Sequence, residues 1–430
     1  RNPLFKTFEF SVKSVKNTYK SGEDRPCSPK LFPEAFVRSR RCSYLCAQEK
    51  NTTMTKIYRF LILAFCLVGA VSCSDDVPEP QTAARTVLVY MAGDNSLSKY
   101  AEYNLELIEE GCSAENLNGG NMLVYVDDRN NPPYLYKIEP GEERGTRVLV
   151  REYEEDNSAS PETLRSVIQE VSATYPAESM GLVLWSHGTA WFPENPSSYL
   201  RAFGQDGDDF MEIYELADAL DGFHFDFLAF DACYMGSVEV AYELRNAADY
   251  LIASATEVIG YGFPYDLMIR PMFSATADVQ GIAEAFYTYY NMQSGKMRSA
   301  SIALVKNDEL EGLADASRAI FSTLSDEELW AVPLAEVQPL EYYFQKTHCL
   351  YDMEDYVKHL TGGQTDTYAA FRDALDRSIV YKASTPQNYF AQTGQENIET
   401  FSGLSVYAPQ ETIPAMNAWY HNLAWWKSVY

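Results

Sequence analysis

Gly181-Leu182-Val183-Leu184-Trp185-Ser186-His187-Gly188 and Phe225-Asp226-Phe227-Leu228-Ala229-Phe230-Asp231-Ala232-Cys233 are the two stretches whose reading decides the fold. Each carries an unbroken apolar run of strand length, 181–185 and 227–230, that stops on polar, reactive residues. A strand buried on both faces reads this way, and such strands belong to parallel sheets covered by helices. The segments around them agree. Thr86-Val87-Leu88-Val89-Tyr90-Met91 is a third run of this kind, ended by Ala92-Gly93-Asp94-Asn95. Residues 97–110 read as a helix closed by Gly111, residues 122–126 as a strand, and residues 134–138 with 146–150 as a hairpin on the sheet edge. Ser160-Pro161-Glu162 opens a helix in good form, with Leu164, Val167, Ile168 and Val171 on one face.

Beyond His187 a polar loop is expected over 189–209 and a helix over 211–220. After Cys233 a helix is expected from Met235 to Arg245, then strands over 250–254 and 300–305. From there the chain becomes largely helical, as at 310–324 and 368–379, with one late strand, Gly403-Leu404-Ser405-Val406-Tyr407, returning to the sheet. Strand–helix alternation of this kind makes an α/β protein: a three-layer sandwich with a mostly parallel central sheet and a largely helical C-terminal portion. The expected division is a catalytic core over 85–310 and a helical portion over 311–430.

The chain has 430 residues, 46% of them hydrophobic, enough for a well-buried core. Residues 1–53 hold 11 of the 34 Lys and Arg and 5 of the 61 Asp and Glu, leaving 23 basic against 56 acidic residues in the rest. A body that acidic repels phosphate backbones, so nucleic acid is excluded as a partner. Met54-Thr55-Lys56-Ile57-Tyr58-Arg59 and the apolar run 60–71 have the order of an export signal. The run is too short to span a membrane, which takes about 20 apolar residues. Translation is expected to start at Met54, with 1–53 as upstream sequence. Ala70-Val71-Ser72-Cys73 resembles a bacterial lipobox, and Ser74-Asp75-Asp76 resembles the export signal of Bacteroidetes surface lipoproteins. The expectation is a signal peptide over 54–72, lipidation at Cys73, a polar tether over 73–84, and an outer-membrane or cell-surface address. Besides Cys73 the mature chain then keeps Cys112, Cys233 and Cys349, an odd number of thiols that forms no disulfide framework.

In open parallel sheets, sites lie beyond the carboxyl ends of the strands. His187 and Cys233 both stand there, and neighbouring strands are about 4.8 Å apart. Cys233 also precedes the helix expected at Met235, whose dipole favours a thiolate. Gly188 and Gly236 let the backbone approach closely, so that nearby amides can form an oxyanion hole. No phosphate loop, dinucleotide fingerprint or zinc-peptidase motif is present. His224, His348, His359 and His421 lack partners at metal spacing and read as structural, and Cys112 and Cys349 as buried thiols.

Leu184-Trp185-Ser186-His187-Gly188 and the segment from Phe230-Asp231-Ala232-Cys233-Tyr234-Met235-Gly236 to Leu244 resemble the two signature segments of the clostripain family of cysteine peptidases, which share the caspase- and gingipain-type fold. The likeness extends over residues 85–410. It implies that His187 is the general base and Cys233 the nucleophile, that the amides of Gly188 and Cys233 form the oxyanion hole, and that Asp231 lies by the specificity pocket. Such enzymes cut proteins after Arg or Lys and often activate by cutting the loop between His and Cys. Arg201 is the basic residue in that loop and the candidate cut site, before Ala202.

One departure concerns specificity. Relatives that cut after Arg carry an Asp in a Gly-Asp-Gly-Trp-like stretch, which is Gly260-Tyr261-Gly262-Phe263 here. Tyr261 supplies no charge, although it can stack on a guanidinium, so Asp231 or Glu257 has to provide it. Some members need calcium. Asp206 and Asp208 offer oxygen ligands without the full spacing of a calcium loop, and a solvated turn is the preferred reading. The chemistry itself needs no cofactor. Two rivals stand beside this reading: an inactive peptidase fold that binds peptide or glycan at the surface, and a serine hydrolase built on Ser186 or Ser237.

Overall fold

The computed structural model describes residues 82–193, 202–342 and 347–430. The leader, Cys73 and Arg201 lie outside the described residues.

The three apolar runs form the middle of a nine-stranded sheet. In chain order its first strands are β1 (Ala83–Gly93), β2 (Asn121–Asp128), β3 (Asn131–Glu139), β4 (Thr146–Glu152) and β5 (Ala177–Trp185). After a small hairpin, β6 (Phe203–Asp206) and β7 (Asp209–Met211), come β8 (Phe225–Asp231), β9 (Ala248–Ala253) and β10 (Ser301–Lys306). The strands further on are β11 (Leu350–Asp352), β12 (Ile379–Ser384), β13 (Gln387–Phe390), β14 (Gly394–Asn397) and β15 (Ser405–Tyr407). The order across the sheet is β12-β10-β9-β8-β5-β1-β2-β3-β4. The strands from β9 to β2 run parallel, while β3, β4, β10 and β12 join antiparallel at the two edges.

Alternation along the strands explains the three layers. On one face Leu88, Tyr90, Leu182, Leu184, Leu228 and Phe230 are buried with Leu164, Val167, Ile168 and Val171 of the helix Pro161–Thr174. On the other, Val87, Val89, Val183, Trp185, Phe227 and Ala229 are buried with residues of the helices Ser98–Gly111, Tyr265–Met272 and Val279–Asn291. Both faces are dry, which is why these strands read as unbroken apolar runs. Each buried side chain of Leu or Val size contributes about 1.5–3 kcal/mol. The helix Pro161–Thr174 begins as expected, its Ser160 hydroxyl accepting from the Thr163 amide.

Four expectations need correction. The stretch 189–209 is more than a polar loop: Trp191 and Phe192 are buried, and Phe203 pairs with Met211 in the β6–β7 hairpin. The helix after it starts at Ile213, since Met211 closes that hairpin. The helix after Cys233 starts at Val238, capped by Ser237, and has six residues. Finally, β15 pairs with β11 in a separate two-stranded sheet, and the strand that joins the main sheet from beyond residue 310 is β12.

The topology fixes where a site can form. From β1 the chain moves outward through β2, β3 and β4, then returns to β5 on the other side of β1 and continues to β8 and β9. The carboxyl ends of β1 and β5 therefore flank a switch point, where open α/β sheets bind ligands. No helix among the described residues is long and apolar enough to cross a membrane.

Candidate active site

Strands β5 and β8 are adjacent, and Trp185 pairs with Asp231. His187 and Cys233 each stand two residues past that pair, so strand register alone brings both to one edge. Their backbones are in close contact. A β-carbon built on Gly188 would lie 2.7 Å from the Cys233 carbonyl oxygen and 3.1 Å from the Ala232 β-carbon. Only glycine permits this approach. Gly188→Ala is therefore expected to push the two loops apart and lower kcat/KM by about 100-fold, the usual cost of a displacement near 1 Å. Steady-state kinetics of the variant check this, and near-normal activity would show that the loops yield without consequence.

Cys233 is aimed by the chain after it. Tyr234 adopts φ +62°, a region that costs a bulky residue about 1–3 kcal/mol. Its amide donates to the Thr256 carbonyl at 3.0 Å and its hydroxyl to Glu257 Oε1 at 3.0 Å, which hold the turn in place. The Cys233 sulfur accepts from the Val258 amide at 3.3 Å. His187 Nε2 lies 2.8 Å from the Ser96 hydroxyl, in the loop after β1. The amides of Gly188 and Cys233 donate to no acceptor among the described residues.

The electrostatics give an uncharged pair at rest. Burial, with the nearby Arg129 guanidinium, holds His187 down to about 4. Burial, with the charges of Glu257 and Asp231, pushes the Cys233 thiol up to about 12 against the Val258 hydrogen bond. The dipole expected to favour a thiolate is not at hand, because the helix begins five residues further on. An uncharged imidazole keeps one nitrogen lone pair able to accept a proton.

The sequence model of the clostripain family matches residues 89–429. The chain belongs to the clostripain family of cysteine peptidases. Clostripain of Hathewaya histolytica is 29% identical over 218 residues, a match spanning 42% of this chain and 40% of that relative's length. The inactive zymogen C11 protease from Parabacteroides distasonis is 44% identical, with a TM-score of 0.75, over 82% of this chain and 99% of its own. A secreted C11 cysteine protease from Bacteroides thetaiotaomicron, solved with an irreversible peptide inhibitor, is 29% identical with a TM-score of 0.72, over 80% and 98%.

In this clostripain-family chain His187 and Cys233 open on a cavity of about 1040 Å³, with Asp231, Glu257 and Tyr261 also in its wall. Asp231 is buried. Its Oδ2 accepts from the Phe263 amide at 2.9 Å and the Tyr265 hydroxyl at 3.0 Å, and burial pushes its carboxyl up to about 7. Both Glu257 oxygens are engaged, Oε1 by Tyr234 and Oε2 by the Ala391 amide at 2.8 Å; burial raises its carboxyl too. Tyr261 is 44% exposed and meets Tyr100 and Tyr103 edge-on. Gly262, at φ +72°, lies against Asp231, where a β-carbon would come within 2.6 Å of Oδ2.

Asp206 Oδ2 accepts from the Ser158 amide and hydroxyl, Asp208 is exposed, and no group of three or more His, Cys, Asp or Glu side chains among the described residues is placed to hold a metal. The four other histidines have structural partners: His224 pairs with Asp249, His348 and His359 bond backbone carbonyls, and His421 stacks on Trp426. Cys112 and Cys349 are buried. Ser186 donates to the Ala92 carbonyl and Ser237 caps a helix, so neither hydroxyl is presented as a nucleophile.

Sequence reasoning missed Ser96 and Val258. Both follow strand ends on the same edge as His187 and Cys233, after β1 and β9, and that topological place was the signal available.

Proposed function

We propose that the chain is a cysteine endopeptidase in which Cys233 attacks the peptide carbonyl and His187 takes the thiol proton. The observation that carries this is the register of β5 on β8, which presents both side chains to one cavity with Gly188 packed on the Cys233 backbone. Attack forms a carbon–sulfur bond and moves the proton to His187, which returns it to the leaving amine as the carbon–nitrogen bond breaks. A water deprotonated by His187 then hydrolyses the thioester. The amides of Gly188 and Cys233 face the oxyanion that develops at each step. No cofactor takes part in these steps, and a calcium requirement would concern stability or activation.

A basic P1 side chain is the expected specificity, with Asp231 as its charge partner and Tyr261 able to stack on a guanidinium. Self-cleavage after Arg201 and lipid-anchored export through Cys73 belong to the same reading. They rest on the sequence and on the company of a secreted relative.

Covalent labelling tests the reading. A thiol-reactive peptide inhibitor with Arg or Lys at P1 is expected to add its acyl mass to Cys233 alone, as read by peptide mass spectrometry. An adduct on Cys112 or Cys349, or none at all, would sink the proposal.

A further inference from the structure

We propose that Ser96 is the positioning residue of His187: its hydroxyl accepts the Nε2 proton and thereby leaves the Nδ1 lone pair to take the proton of the Cys233 thiol. This rests on the cysteine-peptidase reading above. The contact is 2.8 Å long, and it is the one hydrogen bond of the imidazole ring among the described residues. With Nε2 so engaged, Nδ1 is the nitrogen left to exchange a proton with sulfur or leaving amine.

The loop that carries Ser96 is built rigidly. Asn95 just before it is fully buried. Its side-chain amide donates to the carbonyls of Ala92 at 2.9 Å and Gln205 at 2.7 Å, and its oxygen accepts from the Leu97 amide at 2.8 Å. The Ser98 amide donates back to the Asn95 carbonyl at 3.2 Å. The backbone is thus fixed on both sides of an exposed serine whose hydroxyl reaches into the cavity. The place is the switch point between β1 and β5, so the fold sets the serine and the histidine opposite each other.

The charges nearby give the hydrogen bond its purpose. No carboxylate pairs with the His187 ring among the described residues, and the charge that bears on it is the cation of Arg129, itself paired with Asp94 at 3.3 Å. An imidazolium formed at Nδ1 needs some stabilisation at its far side. The Ser96 oxygen supplies it, and also holds the ring at one rotation and in one tautomer. During attack the Sγ–H bond breaks, the proton goes to Nδ1, and the Nε2 proton stays shared with Ser96.

The test combines ring-nitrogen NMR of the full chain, labelled with ¹⁵N at its five histidines and assigned with His187→Gln, with kinetics of Ser96→Ala and Ser96→Thr. Wild type is expected to show the Nε2–H tautomer at His187, and Ser96→Ala to lose it. Ser96→Ala should lower kcat on the order of 10- to 100-fold with KM little changed, and Ser96→Thr, which keeps the hydroxyl, should restore both readouts. An Nδ1–H tautomer in wild type would overturn the proposal. So would Ser96→Ala with tautomer and kcat unchanged, or a Ser96→Thr as impaired as the alanine variant. If wild type hydrolyses no peptide while the tautomer shifts as described, the peptidase reading fails and the Ser96–His187 coupling stands.

Discussion

Replacing Cys233 with alanine is expected to lower kcat/KM on a peptide substrate by about ten-thousand-fold or more, with the fold intact. In the proposed mechanism the Cys233 sulfur, which lines the cavity, is the nucleophile, and the Ser186 and Ser237 hydroxyls that could replace it are committed. Ser186 is spent on the Ala92 carbonyl and the Gln205 amide, and Ser237 on the first turn of its helix. The structural cost is small. The Val258 amide loses a sulfur acceptor at the edge of an open cavity, where water replaces it, for about 1 kcal/mol or less. His187→Ala is expected to be nearly as damaging, and the double variant no worse than the single ones, because the two residues act as one unit. The measurement is steady-state hydrolysis of a peptide library beside a thermal melt. A Cys233→Ala enzyme that keeps a tenth of its activity would end the cysteine mechanism and reopen the serine reading.

How far the sequence carried this site depends on which forces make each part. The ends of β5 and β8 were legible because burial on both faces leaves an unbroken apolar run, and such runs stop where the sheet does. That puts His187 and Cys233 at one sheet edge, while their reading as base and nucleophile came from the resemblance of the two segments to the clostripain signatures. The β6–β7 hairpin was not legible: it is three and four residues long, and its buried Phe203 and Met211 sit among acidic residues. The helix after Cys233 was placed too early because Met235 and Gly236 continue an apolar pattern. In the fold the Gly236 amide donates to the Ser254 carbonyl at 2.7 Å and the Ser405 amide to the Gly236 carbonyl at 3.0 Å, so the segment is held extended by tertiary contacts. The same bond to Ser405 explains the misplaced late strand. The strand β15 approaches the segment behind the nucleophile, where one bridge joins Ser237 and Ser405, instead of the sheet edge. Partners of this kind come from far along the chain, and local periodicity does not see them.

The second large effect concerns specificity. Asp231→Asn is expected to lower kcat/KM for substrates with Arg or Lys at P1 by about 100- to 1000-fold, and to leave neutral P1 residues within a few-fold of wild type. Two carboxylates are in the cavity, and their hydrogen bonds separate them. Glu257 has given both oxygens to Tyr234 and Ala391, whereas Asp231 has two bonds on Oδ2 and none on Oδ1 among the described residues. The carboxyl of Asp231 ionises near 7 because it is buried, and only its ionised form pairs with a cation. Since kcat/KM reports the free enzyme, activity on Arg substrates should rise with pH through about 7, while neutral P1 substrates should lack that limb. The sign for stability is opposite. A folded-state value raised above that of the unfolded chain favours the folded protein below about 4, and this advantage is lost as pH rises through 7. Asp231→Asn, whose side-chain oxygen can still accept from Phe263 and Tyr265, should therefore gain on wild type in thermal midpoint between pH 5 and 8 while losing the pH limb of basic substrates. An equal loss for basic and neutral P1 residues would make Asp231 a structural carboxyl. An unchanged preference for basic residues would move the recognition charge to Glu257, with Tyr261 stacked beside it.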